Sequence, residues 1–531
     1  MELAAPATDP GATAWVLAST ALALVMVLGV AFYYGGMVRA KNVLGVLMQN
    51  FTAMALVSVL WVLVGFSLVF SHGNPYFGGF DHLGLENLAA PTGIADLRVP
   101  PMAYAGFQMM FAVLTVALIT GATADRWRFG PFVAFAALWS LIGYVPVAHW
   151  LFSPHGWAAQ LGALDFAGGI VVHANAGAAA IAMALVLGRR QGWPSASMRP
   201  HNMPLVLLGA GLLWFGWLGF TSGSAMRADG LASVALVNTL AAAAAASLTW
   251  ITAERVRYGK PTSLGAASGV IAGLVAVTPC AGYVTPLGSI VIGLAAGGVC
   301  SLLVGLKTWI GVDDALDVAA VHLGGGVIGS LCLGLFASRA VNPDGADGLF
   351  YGGGYLQLGL QALAVFAVAG YSFVITYVIG AFLDRLVGNR VSPRAEAIGT
   401  DLTEHGESAY QWESTDPTPA RSQTSPPLGT PPAAAAAYAD PSPAGVPSYP
   451  DPPPAAAYPD PPQAGGPAYP GPPPEPEPPR VPPPPGFAPP HQASGPPPPG
   501  QQPAGYPPPG SSDGGWPPGP SMPYRDGTMS R

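Results

Sequence analysis

The stretch DFAGGIVVHANAG, residues 165–177, continues into AAAIAMALVLG and so belongs to an apolar segment long enough to cross a bilayer. One histidine, His173, stands in its middle. Burying an imidazole in hydrocarbon costs free energy unless the ring finds a partner or faces a cavity, so ionisable residues inside membrane segments are functional candidates. The partner of His173 is therefore the first question that this sequence raises.

Charged residues make up only 9% of the 531 residues, and apolar runs of about 20 residues recur along most of the chain. This pattern predicts an all-α polytopic membrane protein with eleven transmembrane helices. The predicted segments are 14–34, 44–70, 103–123, 130–151, 165–188, 204–224, 231–251, 264–283, 286–306, 319–338 and 358–383.

The loops between these segments predict the orientation of the chain. If the N-terminus is outside, eleven Lys and Arg residues fall in inner loops, against only Arg98, Arg227 and Arg339 outside. Positive loops stay in the cytoplasm, so we expect the N-terminus outside and the C-terminus inside. The start, MELAAPATDPGATAWVL, has no positive region, which favours a first span over a cleaved leader. A cleaved leader is the alternative.

Three regions are expected: a transmembrane domain at 1–384, a cytoplasmic C-terminal region at 385–412 and a Pro-rich tail at 413–531. The tail contains AYPDPPPAAAYPDPPQAGGPAYPGPPP, a composition that cannot build a packed core and favours extended polyproline II. We expect it to be a disordered spacer, with a docking site for a cytoplasmic partner as the alternative.

A second membrane histidine lies in DALDVAAVHLGGGVIGSL, where His322 follows Asp314 by eight residues. His173 follows Asp165 by the same interval. The two histidines fall in the fifth and tenth segments, which suggests two five-helix halves inserted with opposite orientation and a substrate path between them. We expect the histidines to meet and the aspartates to precede them by turns of helix. The alternative is that the histidines do not meet and that each one hydrogen-bonds to a separate backbone carbonyl.

Two neutral imidazoles in a narrow apolar channel can bond to each other and to a small polar solute. A metal site is the alternative chemistry, but no third ligand is evident at that depth. The three cysteines lack metal spacing, and neither a nucleophile elbow nor a phosphate loop occurs. We therefore predict no enzyme activity, no cofactor or metal, and no nucleic-acid partner.

Aromatic residues on two other segments suggest a cation site. FQMMFAVLT places Gln108 and Phe111 on the third segment, and LLWFGWLGFTSGS places Trp217, Phe220 and Ser224 on the sixth. The last three share one helix face. Ring faces with one hydroxyl acceptor suit a small cation, although ordinary aromatic packing or an interfacial belt is the alternative.

Several stretches together resemble the ammonium transporter (Amt/Rh) family, in its bacterial Amt branch. The resemblance covers about residues 10–410, and its most specific part is LGALDFAGGIVVHANAG. It also rests on FYYGGMVRAKNVLGVLMQNF, FQMMFAVLT, LLWFGWLGFTSGSA, GKPTSLGAASGVIAGLVAVTPCAGYV, DDALDVAAVH and DLTEHGESAY.

The resemblance implies a plasma-membrane homotrimer of eleven-helix subunits, each with its own pore for ammonium or ammonia. Ammonium would be recruited outside and deprotonated, ammonia would follow the histidines, and the proton would either cross separately or stay behind. The implied roles are an outer gate of Phe111 and Phe220, an external site with Trp217 and Ser224, a bordering Gln108, a pore pair of His173 and His322, and supporting aspartates Asp165 and Asp314.

This chain departs from the family pattern at two places. Phe152 stands where the external site usually has another tryptophan, and its weaker ring face predicts a weaker external site. Ala319, Ala320 and Leu323 replace residues that are commonly bulkier or glycine, which would alter pore width.

The segment GNRVSPRAEAIGTDLTEHGESAY resembles the family's cytoplasmic region, which implies a trimeric PII-type signal protein as partner. Two alternative functions stay open. One is an ammonium sensor that signals through its cytoplasmic tail, and the other is a neutral gas channel of the Rh type for ammonia or carbon dioxide.

Overall fold

The computed structural model describes residues 8–88, 98–195 and 198–411, so the predicted tail at 413–531 lies outside the described residues. Within these ranges the chain is helical, with two isolated β-bridges and no strand. Ten helices there are long and apolar enough to cross a membrane, and one shorter apolar helix is the eleventh. The predicted all-α polytopic class is confirmed.

Each helix overlaps one predicted segment. In chain order they are α1 Pro10–Met37, α2 Ala40–Phe70, α3 Pro101–Thr123, α4 Phe129–Gln160, α5 Gly169–Leu187, α6 Met203–Gly223, α7 Gly230–Tyr258, α8 Ser263–Val277, α9 Pro286–Ile310, α10 Ala319–Phe336 and α11 Leu356–Val387. Two short helices follow, α12 Pro393–Ile398 and α13 Thr400–His405. α4 is interrupted at 153–156, and π-helical turns open α5 and α10.

Polar side chains cap the N-termini of several of these helices. Asp9 accepts hydrogen bonds from the backbone of Gly11 and Ala12 at the start of α1, at 2.7 and 3.0 Å. Thr262 and Thr285 cap α8 and α9 in the same way. These caps satisfy N–H groups that the first turn of a helix leaves without an intrahelical acceptor.

α1 packs against α6 more extensively than any other pair of described helices pack together. Glycine makes the approach possible, since a Cβ on Gly209 would lie 2.2 Å from the nitrogen of Tyr33, and one on Gly216 would lie 2.6 Å from the oxygen of Leu22. Small residues allow membrane helices such close contact. The first helices of the two predicted five-helix halves therefore form a tight seam.

The residues after α11 fold back against the ends of α2 and α4. Asp401 accepts a 2.8 Å hydrogen bond from the nitrogen of Gly45 in the first turns of α2, and Glu404 accepts a 2.9 Å bond from the nitrogen of Phe129 at the start of α4. Asn42 accepts from the nitrogen of Thr400 at 2.8 Å. The C-terminal region thus lies against one end of the bundle, which we call the α13 end.

Buried ion pairs connect the loops at the α13 end. Arg190 donates three hydrogen bonds to Asp313, two from its guanidinium at 2.8 and 2.9 Å and one from its backbone nitrogen at 2.8 Å, and its guanidinium also contacts Asp125 at 3.4 Å. Asp125 also pairs with Arg39 at 3.0 Å. Burial alone would raise the pKa of Asp313, but the hydrogen bonds and charge of Arg190 hold that pKa below its usual range. Asp313 is therefore ionised at neutral pH.

Candidate functional site

Asp165 lies in the loop before α5 and caps the N-terminus of that helix. Its two carboxylate oxygens accept four backbone hydrogen bonds, from residues 168–171, at 2.7–3.0 Å. The expectation that Asp165 precedes His173 by turns of helix is wrong, because Gly168 takes a left-handed φ of 93° and α5 starts only at the next residue. Asp165 acts on this helix by accepting its free N–H groups.

The same arrangement recurs before α10. Asp314 accepts from the nitrogens of Val318 and Ala319, at 3.1 and 2.7 Å, and so also lies outside the helix that carries its histidine. Asp317, three residues after Asp314, has a left-handed φ of 63°, just as Gly168 follows Asp165 by three residues. Cap, left-handed residue and histidine thus repeat at equal spacing, as an internal repeat requires.

The structure brings the two histidines together. Nδ1 of His173 lies 3.2 Å from Nδ1 of His322, and the rings are 5.2 Å apart between centroids with planes at 20°. Only one hydrogen fits between two facing ring nitrogens, so one Nδ1 donates and the other accepts, and the accepting imidazole is neutral. Nε2 of His173 is buried and has no hydrogen-bond partner within the described residues. The alternative of two separate carbonyl partners does not describe this geometry.

Trp217 supports the histidine pair. Its ring stacks on His173 with centroids 5.0 Å apart and planes at 17°, and its Nε1 donates to the hydroxyl of Thr278 at 2.8 Å. Trp217 and Ser224 share a helix face, but seven residues separate them by about 10 Å along the axis. Ser224 lines the cavity described below and Trp217 does not, whereas Trp217 covers one face of His173; that both belong to one external site stays a prediction.

Two phenylalanines close the space next to this stack. The rings of Phe111 and Phe220 are parallel within 22°, with centroids 4.1 Å apart, and each side chain is only 1% exposed. Phe152 meets Phe111 edge-on, at 5.9 Å and 88°. Stacked rings at this distance leave no room for a solute between them.

Beyond the phenylalanines a cavity of about 540 Å³ opens, which we call the vestibule. Of the predicted site residues, Gln108, Phe111, Phe152 and Ser224 line it. The hydroxyl of Ser224 donates to the carbonyl of Phe220 at 2.9 Å, so its hydrogen is engaged and its oxygen lone pairs stay available. The vestibule therefore offers aromatic rings and a hydroxyl acceptor to a solute.

Sequence reasoning missed three residues that the structure places at this site. Tyr104 lines the vestibule and accepts a 3.2 Å hydrogen bond from Gln108, one helical turn further on. Asp344 lines the vestibule from the loop between α10 and α11. Thr278 orients Trp217. The i, i+4 spacing of Tyr104 and Gln108 was visible in the sequence, whereas long-range folding alone places Thr278 and Asp344.

Nothing in the described part of the chain forms a metal centre of three or more His, Cys, Asp or Glu side chains. The three cysteines are free thiols, and the Sγ atom of Cys280 lies 3.1 Å from the carbonyl oxygen of Gly329.

An apolar helical bundle that buries a hydrogen-bonded imidazole pair beneath stacked rings defines a multi-pass membrane protein of the transporter or channel class. Residues 14–410 match the model of the family described as Ammonium Transporter Family, and the chain belongs to that family.

Curated relatives and solved structures agree with this assignment. An ammonium transporter of Mycobacterium tuberculosis is 48% identical over 433 residues, covering 76% of this chain and 91% of the relative. One of Bacillus subtilis is 46% identical over 402 residues, covering 76% and 98%. The crystal structure of Saccharomyces cerevisiae Mep2 superposes with a TM-score of 0.71 at 34% identity, covering 77% and 93%. A structure described as a sensor Amt protein gives 0.68 at 30%, covering 74% and 98%.

Proposed function

We propose that this protein transports ammonium across the plasma membrane. Ammonium enters the vestibule, loses a proton at the ring pair of Phe111 and Phe220, and passes as ammonia along His173 and His322. Membership of the family and the names of the relatives support the substrate. The arrangement of vestibule, ring pair and imidazole pair supports the route.

The apolar surroundings of the pore favour deprotonation. Moving an unpaired ion from water into an apolar site costs far more free energy than moving a neutral molecule of the same size. The vestibule offers the ion ring faces and the Ser224 oxygen, whereas the space beyond the rings offers two neutral imidazoles. Passage also requires the Phe111 and Phe220 rings to move apart, because their centroids are 4.1 Å from each other.

The observation that carries this proposal is the 3.2 Å contact between the two Nδ1 atoms. When the two imidazoles are neutral and share one hydrogen, one imidazole has a bare Nε2 and the other an Nε2–H. Ammonia, which both donates and accepts hydrogen bonds, matches this pair. Potassium cannot shed a proton and so pays the full cost of desolvation, which gives the pore its selectivity.

We further propose that the vestibule faces outside and the α13 end faces the cytoplasm, in agreement with the distribution of Lys and Arg. The functional unit is a homotrimer, as the resemblance implies. The docked C-terminal region, held by Asp401 and Glu404, then offers a PII-type signal protein a folded surface. The proton released at the rings crosses separately, which makes transport electrogenic.

The test is a current measurement on solid-supported membranes with purified protein in liposomes. Native protein and the variant with both His173→Ala and His322→Ala receive an ammonium pulse and then a potassium pulse. We expect an ammonium-specific current that the double variant loses while its thermal unfolding and elution volume stay native. A full current in the double variant would refute the imidazole route. Native protein without current would refute electrogenic transport, and stopped-flow pH measurements would then test for neutral ammonia conduction.

A sensor is the second candidate, because a structure described as a sensor Amt protein is similar to this chain. The test compares the native chain with one ending at residue 411. Equal currents from both would favour a transporter whose tail is dispensable for flux. Specific ammonium binding without flux in the native chain, in current and pH assays alike, would favour the sensor.

A further inference from the structure

The vestibule has one charged lining residue among those the structure describes, and it is Asp344. The other lining side chains are aromatic, aliphatic or neutral polar groups. The carboxylate of Asp344 forms no ion pair with any described residue, unlike Asp229, whose carboxylate pairs with Arg227 at 2.9 Å. A net negative charge therefore stands at the wall of a cavity that is proposed to receive a cation.

The loop that carries Asp344 is fixed by hydrogen bonds and by close packing. The nitrogen of Asp344 donates to the side-chain oxygen of Asn342 at 3.1 Å, and the nitrogen of Gly345 donates to the Asn342 carbonyl at 3.0 Å. Gly345 lies so close to Tyr283 that an added Cβ would be 2.7 Å from the ring. Asp344 is therefore held at the vestibule wall.

We infer that Asp344 is a cation-collecting residue that raises the concentration of ammonium in the vestibule. The inference rests on the proposed function. It assigns to a carboxylate part of the attraction that a tryptophan at the position of Phe152 would supply. Because a carboxylate attracts every monovalent cation, Asp344 improves capture and leaves selectivity to the rings and imidazoles beyond.

The size of the effect follows from Coulomb's law. A carboxylate about 10 Å from a monovalent cation in water changes cation occupancy about twofold. The Debye length is about 30 Å at 0.01 M salt and about 8 Å at 0.15 M, so most of this gain disappears at the higher ionic strength. The expected signature is a salt-dependent change in half-saturation with an unchanged maximal current.

The first experiment measures ammonium half-saturation from the same currents for native protein, Asp344→Asn and Asp344→Glu. At 0.01 M salt we expect half-saturation to rise about twofold in Asp344→Asn and to stay native in Asp344→Glu, which keeps the charge. At 0.15 M the three should converge. Equal values for native and Asp344→Asn at low salt, or a difference that persists at high salt, would overturn the inference.

A second experiment reads the local potential without transport and so separates this inference from the proposed function. Ala159, another lining residue, is changed to cysteine and labelled with a cationic and an anionic methanethiosulfonate reagent of similar size, with the chain lacking this cysteine as background. We expect Asp344→Asn to lower the ratio of cationic to anionic labelling rates about fourfold at low salt, because the two rates change in opposite directions. An unchanged ratio would refute the charge effect, whatever the currents show.

Discussion

The cap formed by Asp165 allows a quantitative prediction for Asp165→Asn. The carboxylate accepts four backbone hydrogen bonds, two on each oxygen. Asparagine keeps one oxygen and turns an NH₂ group toward the other two donors, so two buried N–H groups lose their acceptor. Each loss costs about 1–3 kcal/mol, which predicts a destabilisation of about 2–6 kcal/mol.

Asp314→Asn is the matched comparison, since each oxygen of Asp314 accepts only one backbone hydrogen bond. Only one donor loses its acceptor there, which predicts about 1–3 kcal/mol. Asp229→Asn is the control: a single Asp229 oxygen accepts the bonds from the first turn of α7, and asparagine retains it. The predicted order of destabilisation is Asp165→Asn, then Asp314→Asn, then Asp229→Asn.

The assay is thermal unfolding of the purified variants in one detergent, followed by tryptophan fluorescence, together with hydrogen exchange at residues 168–171. We expect the midpoints to fall in the predicted order and Asp165→Asn to speed exchange in the first turn of α5. A native midpoint for Asp165→Asn, or a fall no larger than that of Asp229→Asn, would refute the capping argument. Such an outcome would mean that the carboxylate is present for its charge alone.

Three other substitutions test separate contacts. Trp217→Leu removes the ring stacked on His173 and should lower the ammonium current at least tenfold while the protein stays folded; a native current would show that His173 needs no such support. Phe152→Trp supplies a stronger ring face and should lower half-saturation about two- to fivefold, measured from currents at 0.15 M salt; an unchanged value would remove Phe152 from the cation site. Gly209→Ala forces a Cβ against Tyr33 and should cost about 1–3 kcal/mol by thermal unfolding, whereas Gly211→Ala, with open space around it, should be neutral.

The sequence was most informative where a chemical pattern repeats. The equal Asp-to-His spacing predicted that His173 and His322 are equivalent, and the structure shows them in contact. Hydropathy located all eleven helices because each needs a long apolar run. It could not place the start of α5, since a left-handed glycine within an apolar stretch does not change hydropathy. The predicted segment therefore began at Asp165, whereas the helix begins at Gly169 and Asp165 caps it from outside.

Depth and long-range contacts were harder to predict than helix faces. Periodicity assigned Trp217 and Ser224 to one face, but a shared face does not fix position along the membrane normal. Asp344 carried no signal at all, because a loop acidic residue is ordinary until folding brings it to the vestibule wall. Thr278 likewise gains its role only from the packing of α8 against α6.

The hydrogen bond between the two imidazoles couples the protonation of their two Nε2 atoms. If His173 donates through Nδ1, its Nε2 is bare while that of His322 carries a hydrogen, and the opposite holds if His322 donates. Moving the shared hydrogen across the 3.2 Å gap reverses this arrangement only when the bare Nε2 takes up one proton and the other Nε2 releases one, so each reversal carries one proton along the pair. The pair behaves as a two-position relay without a fixed direction, so concentration and voltage, and not the site itself, set the direction of flow.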